Sequence, residues 1–132
     1  MGEDKTVHIG SMTELTALFK STTYVVIDFY ADWCAPCKTI APAYQELANM
    51  YSVPGILAFA KVRTDADQGT QMISAVYSIR AMPTMLFYKD GRQVAVNGSP
   101  YIQGANLPVL KAAAEKLGAL AKKRQAEAAA AA

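Results

Sequence analysis

The sequence predicts an α/β fold built on a mixed sheet of about five strands with about four helices around it. Three observations lead there. Apolar runs at 24–30, 56–62 and 84–88 have the length and composition of buried strands. Segments with helical spacing separate them, so the pattern alternates strand and helix, as in a sheet with parallel central strands. Asp90-Gly91 after the third run is a tight hairpin signal, which adds an antiparallel partner at one side.

Each element follows in order. A short strand is expected near Thr6–Ile9. Ser11-Met12-Thr13-Glu14 has the form of a capping box, with Leu15, Leu18 and Phe19 on one face of the helix it opens. Tyr24-Val25-Val26-Ile27-Asp28-Phe29-Tyr30 reads as a central strand. From Cys34 to about Met50, Ile40, Tyr44, Leu47 and Ala48 recur at helical spacing, and Pro42 inside this helix should kink it. Val53-Pro54-Gly55 is a break, and Ile56–Val62 a second core strand. Asp65 and Asp67 are candidate caps for a helix through about Tyr77, with Ile73, Val76 and Tyr77 facing inward. Thr84–Tyr88 is a third strand, Gln93–Val96 its hairpin partner, and Asn97-Gly98-Ser99-Pro100 a loop. Asn106 can cap a last helix that carries Leu107, Leu110, Ala114 and Leu117.

A length of 132 residues suits one domain, placed at 1–118, and 52% hydrophobic residues favour a folded globule. The remainder, 119–132, holds Lys122-Lys123-Arg124-Gln125-Ala126-Glu127 and five alanines. It is expected to be a frayed helix or disordered, because no large side chain docks it. Thirteen basic and 11 acidic residues give a net charge of +2, too balanced to point to nucleic acid or an anionic membrane. No apolar run approaches the ~20 residues of a membrane span. Met1-Gly2 with Thr6 fits a loose myristoylation pattern, but an ordinary polar start is the simpler reading.

The chemistry concentrates in Trp33-Cys34-Ala35-Pro36-Cys37-Lys38, which holds both cysteines of the chain at a strand-to-helix junction. Their loop is too short for a disulfide to gain much chain entropy, so a reactive pair is a better reading than a structural staple. Cys34, at a helix N-terminus, is the expected nucleophile: unpaired N–H groups and the helix dipole favour a thiolate there. Cys37, one turn on, should be more buried and should resolve the mixed disulfide. Asp28 is a carboxyl in a buried strand, and it must be protonated, paired or functional. Lys61 in the next strand is either its partner or a lysine that reaches solvent. His8, the only histidine, reads as a strand residue.

The block Val26–Lys38 resembles the active-site block of the thioredoxin family. Three further features fall where that family has them: Lys61, the loop Ile79-Arg80-Ala81-Met82-Pro83-Thr84, and Gly104-Ala105. The similarity runs from about residue 6 to 118 and is nearer to thioredoxin-type members than to glutaredoxins or disulfide isomerases. It implies a three-layer thioredoxin-like fold. It also implies Cys34 and Cys37 as a dithiol, with Asp28 moving the Cys37 proton and Lys61 tuning Asp28. Pro83 should be cis, presenting the backbone of Met82 to an extended substrate. Trp33, Ala35, Pro36, Met82, Pro83, Gly104 and Ala105 should form the docking rim. One departure stands out: the family commonly has Gly-Pro between the cysteines, where this chain has Ala35-Pro36.

What the resemblance implies is a monomeric protein-disulfide reductase with no bound cofactor and no metal. Its partners would be disulfide-containing proteins and a flavin-dependent thioredoxin reductase that draws on NADPH. The compartment would be the cytoplasm, or an organelle if the chain is a mature form. Three other readings compete: an oxidase or isomerase of higher potential, a scaffold that uses the same groove without redox chemistry, and a metal site shared between chains. The last lacks ligands, since structural zinc wants four.

Overall fold

The computed structural model describes residues 3–132; Met1 and Gly2, where the myristoylation pattern begins, lie outside them. In chain order the elements are β1 (Val7–His8), α1 (Met12–Ser21), β2 (Tyr24–Tyr30), α2 (Ala35–Tyr51), β3 (Leu57–Arg63), α3 (Gln68–Val76), β4 (Thr84–Lys89), β5 (Arg92–Gln93), β6 (Tyr101–Gln103) and α4 (Leu107–Ala131). The sheet runs β1-β3-β2-β4-β5, with β6 also paired to β4. β2 is parallel to β3, which is parallel to β1, while β4 runs antiparallel to β2. The mixed sheet expected from the alternation is therefore present, with β2 at its centre.

Side chains alternate across β2, and each face meets its own helical layer. Tyr24 and Val26 pack with Phe59, Tyr44, Leu47, Leu110 and Leu117 under α2 and α4. Val25, Ile27 and Phe29 pack with Leu15, Val62, Ile73 and Leu86 under α1 and α3. Two helical layers about one sheet make the three-layer fold.

Local chemistry sets the boundaries. The Ser11 side chain accepts from the Glu14 N–H, and Glu14 Oε2 accepts from the Gly10 N–H at 2.7 Å. At α3 the cap is Asp67, with a reciprocal box to Thr70; Asp65 is occupied elsewhere. α2 runs through Pro42 as one helix.

One expectation needs correction in the last third of the chain. The strand anticipated at 93–96 shrinks to Arg92–Gln93, and an unanticipated β6 makes six strands. The reason is a second tight turn. Asn97 and Gly98 both have positive φ (53° and 80°), and Val96 bridges to Ser99, so the chain doubles back onto β4. In the tail, where a frayed helix or disorder was expected, α4 continues without a break to Ala131. Its contact with the core reaches Ala121, which is buried, and Gly118 lies against Tyr51. Beyond that the alanine-rich sequence carries the helix by propensity.

Candidate active site

The cysteine pair sits where β2 hands over to α2. Cys34 is the N-cap of α2 in extended backbone conformation, and its Sγ accepts the Cys37 N–H at 3.2 Å. Pro36 falls in the first turn, where a helix has no use for the missing N–H. One turn of helix brings the two Cα atoms to 5.3 Å, within disulfide range, and the cysteines are joined. Both are 3% exposed, so Cys37 is not the more buried of the two as expected. In the joined state Cys34 is drawn into one small cluster with Ala31, Cys37, Tyr30 and Met82. Ala35 and Pro36 are exposed beside it, and Trp33 stands 71% exposed at its edge.

The rim comes from three distant segments. The Met82–Pro83 bond is cis, and the Met82 carbonyl oxygen lies 3.6 Å from Cys34 Sγ. Gly104, at φ +82°, donates its N–H to the Pro83 carbonyl at 2.9 Å, which ties the 104–105 turn to the proline loop. A residue with a Cβ is strained at that φ. Ala105 is exposed next to it.

Sequence reasoning missed the brace under this rim. Thr64 donates both its N–H (2.7 Å) and its hydroxyl (3.1 Å) to the Tyr30 carbonyl. The same hydroxyl lies 3.8 Å from Met82 Sδ. The Asp65 carboxylate accepts from the Asp32 N–H (3.3 Å) and from Arg63 Nε (2.9 Å). The β3–α3 turn thus holds the β2–α2 turn. The only signal was a polar Arg-Thr-Asp run at a strand end, which reads equally well as an ordinary turn.

Asp28, 1% exposed, lies on the face of β2 that meets α2. Among the described residues its Oδ1 has no hydrogen-bond partner, and it makes no ion pair. Burial raises its pKa from 3.8 to about 7, with Lys61 opposing weakly. Lys61 is directly opposite Asp28 in register. Its ammonium is not on the carboxylate, however; it lies 4.4 Å from the centre of the Tyr30 ring. Tyr44 of α2, fully buried, spans the two strands with its hydroxyl 2.7 Å from the Ala60 carbonyl and 3.2 Å from that of Val26. Burial pushes its pKa well above the ordinary range. His8 lies on β1 with Asp4 at 4.0 Å. Among the described residues no group of three or more His, Cys, Asp or Glu could hold a metal ion.

The arrangement is a disulfide at a helix N-terminus, with an apolar rim beside it and a buried acid on the strand that leads into it. Residues 10–116 match the family model described as Thioredoxin. A thioredoxin of Neurospora crassa is 53% identical over 125 residues, covering 95% of this chain and 96% of the relative. A thioredoxin-like protein of Fusarium culmorum is 57% identical over 119 residues, covering 90% and 96%. Among solved structures, oxidised thioredoxin from Plasmodium falciparum superposes with a TM-score of 0.71 at 32% identity, covering 86% of this chain and 98% of that one. On fold, cysteine pair and relatives together, the chain belongs to the thioredoxin family.

Proposed function

We propose that the chain is a thiol–disulfide oxidoreductase that reduces disulfides in other proteins through Cys34 and Cys37. The observation that carries this is the Cys34 N-cap: its sulfur faces the first-turn N–H groups of α2, and the Cys37 N–H already points at it. Once the pair is reduced, those groups favour thiolate at Cys34.

The Cys34 thiolate attacks one sulfur of a substrate disulfide. A mixed disulfide forms and the other substrate sulfur leaves as a thiolate, which takes a proton from water. Cys37 then gives up its proton, and its sulfur attacks Cys34 Sγ. The Cys34–Cys37 disulfide forms, the second substrate thiol is released, and two electrons have passed to the substrate. We assign Asp28 as the acceptor of the Cys37 proton. An acid shifted to about 7 can take up and return a proton at neutral pH. Trp33, Ala35, Pro36, Met82, Pro83, Gly104 and Ala105 form the docking rim, with the Met82 backbone beside the reacting sulfur as an edge for an extended segment.

The dithiol lies within one chain, so one copy holds both reacting sulfurs, and we assign a monomer. It binds no cofactor of its own, and a separate flavin-dependent thioredoxin reductase recharges it at the expense of NADPH. Among the described residues no helix is long and apolar enough to cross a membrane. A reductant works in a reducing compartment, and we assign the cytoplasm, with an organelle as the alternative.

The test is the potential of the Cys34–Cys37 couple, equilibrated in a thiol redox buffer. A value near roughly −270 mV supports the reductant, and one near roughly −180 mV makes the protein an oxidase or isomerase. Failure of the reduced pair to re-form its disulfide reversibly leaves only the scaffold or metal readings.

A further inference from the structure

Lys61 has two neighbours on its own face of β2. Asp28 is directly across in register, and Tyr30 is one step further along the strand, two residues on and therefore on the same side. An ammonium beside a carboxylate ordinarily pairs with it. Here it takes the aromatic ring, at 4.4 Å from the centroid, and leaves Asp28 Oδ1 without a partner. The two sites differ in solvent. Asp28 is sealed under α2, whereas Tyr30 and Lys61 are both half-buried at the end of the sheet. Pairing with Asp28 would strip water from the ammonium, while stacking on the ring leaves much of it wet. The backbone that carries the ring is held: Thr64 donates two hydrogen bonds to the Tyr30 carbonyl, and Thr64 belongs to the turn that Asp65 braces.

We propose that Tyr30 is a positioning residue: its ring holds the Lys61 ammonium off Asp28, and so leaves the buried carboxyl without a cation partner. The inference rests on the assignment of Asp28 as the proton acceptor for its use in turnover, but not for its physical test. Other ionisable groups face the pair. Tyr44 of α2 and Cys37 lie on the Asp28 side, and Tyr44 is committed to backbone carbonyls. His8 is opposite Lys61 on β1, with its Nε2 4.0 Å from Asp4 Oδ2. Lys61 is therefore the one cation in register with Asp28, and what decides its effect is where its flexible chain rests.

The experiment is a carboxyl carbon-13 titration of Asp28 by NMR in the oxidised protein, where neither cysteine titrates. It compares wild type, Tyr30→Phe and Tyr30→Leu, each with Lys61 or with Lys61→Gln. With Lys61 present, Tyr30→Phe leaves the midpoint in place. Tyr30→Leu frees the ammonium, and the midpoint falls by about one unit or more, as an opposite charge at short range lowers an acid. In the Lys61→Gln background Tyr30→Leu moves it little. No fall in Tyr30→Leu overturns the proposal. So does an equal fall without Lys61, which would mean that water had reached Asp28. A second readout needs no disruptive variant: the Lys61 methylene protons should be ring-shifted upfield in wild type and in Tyr30→Phe. Normal shifts there would refute the seat even if Tyr30→Leu failed to fold. Turnover of Asp28→Asn, measured separately, tests the proton-acceptor role, so the two ideas can fail independently.

Discussion

The two faces of the sheet are built from the same strands and do different work. On the α1/α3 face, β2 contributes Val25, Ile27 and Phe29 and β3 contributes Ala60 and Val62, all buried. On the α2/α4 face the series begins alike, with Tyr24 and Val26, and then turns polar with Asp28 and Tyr30 as the strand approaches the N-terminus of α2. β3 changes in step, from Leu57 and Phe59 to Lys61. One face is a core along its full length, whereas the other is a core at one end and a reactive site at the other. With the cysteines joined, Asp28 is, among the described residues, the one buried side chain that can carry a charge below about pH 8, and it lies at the reactive end of that face.

The sharpest way to break this contrast is to alter one residue on each face. Cys34→Ser removes the nucleophile and should lower disulfide-reductase turnover by roughly a thousandfold or more. Ile73→Val on the opposite face should cost about 0.5–1.5 kcal/mol of stability and leave turnover intact. Cys37→Ser should accumulate a mixed disulfide through Cys34 that appears on a non-reducing gel. Retained turnover in Cys34→Ser would overturn the assignment of Cys34.

A second pair compares adjacent residues of β2 that point to opposite faces. Ile27→Ala empties a fully buried position and should cost about 2–5 kcal/mol at any pH. Asp28→Asn should act in the opposite direction and with a pH dependence. The unfolded carboxyl ionises near 3.8 and the folded one near 7, so between these values the folded chain keeps a proton that the unfolded chain has lost. Raising pH across that window weakens the wild-type fold, and the loss is complete above about 7. The neutral amide escapes this penalty. Its advantage over wild type should therefore grow by on the order of 2–3 kcal/mol between pH 5 and pH 8, read by denaturant unfolding of the oxidised proteins. A constant difference would show that Asp28 is not a shifted acid.

The α2/α4 layer also depends on close contact away from the site. A Cβ on Gly118 would clash with the Tyr51 ring, so Gly118→Ala must displace that half-buried ring or the helix that carries it. We expect a loss of about 1–3 kcal/mol, despite alanine's better helix propensity, with turnover unchanged in the folded fraction. Gly69, where a Cβ would lie 2.6 Å from the Gly10 carbonyl, is the corresponding close approach between α3 and the start of α1.

What could be read in the sequence follows the same division. β2, β3 and β4 are long apolar runs whose burial on both faces is written in their composition, and α2 repeats its apolar residues with a clear period. The cysteine pair is legible because its spacing serves one purpose. β6 was not legible: it is three residues long with a single inward side chain, Ile102, and exists because Asn97-Gly98 turns the chain back. The seat of Lys61 was not legible either. Sequence offered Asp28 as a partner or solvent as a refuge, and the ring of Tyr30 enters the choice only once register puts it on the same face. Likewise, only three-dimensional contact shows that Asp65 braces the neighbouring turn while Asp67 caps α3.

The smallest expected effect concerns where the α2/α4 layer ends. α4 buries Leu110, Ala113, Ala114, Leu117, Gly118 and Ala121, and every residue after Ala121 is exposed. Exposed helix beyond the last buried turn gains little from tertiary structure, and an isolated alanine-rich end of this length is marginal in water. Removing residues 122–132 should therefore change stability by no more than about 0.5 kcal/mol and leave turnover unaltered. Removing residues 118–132 also takes away the turn that holds Gly118 against Tyr51 and buries Ala121, and should destabilise by clearly more. Equal effects of the two truncations would mean that the exposed segment itself supports the fold, and the layer would then have to be redrawn to include it.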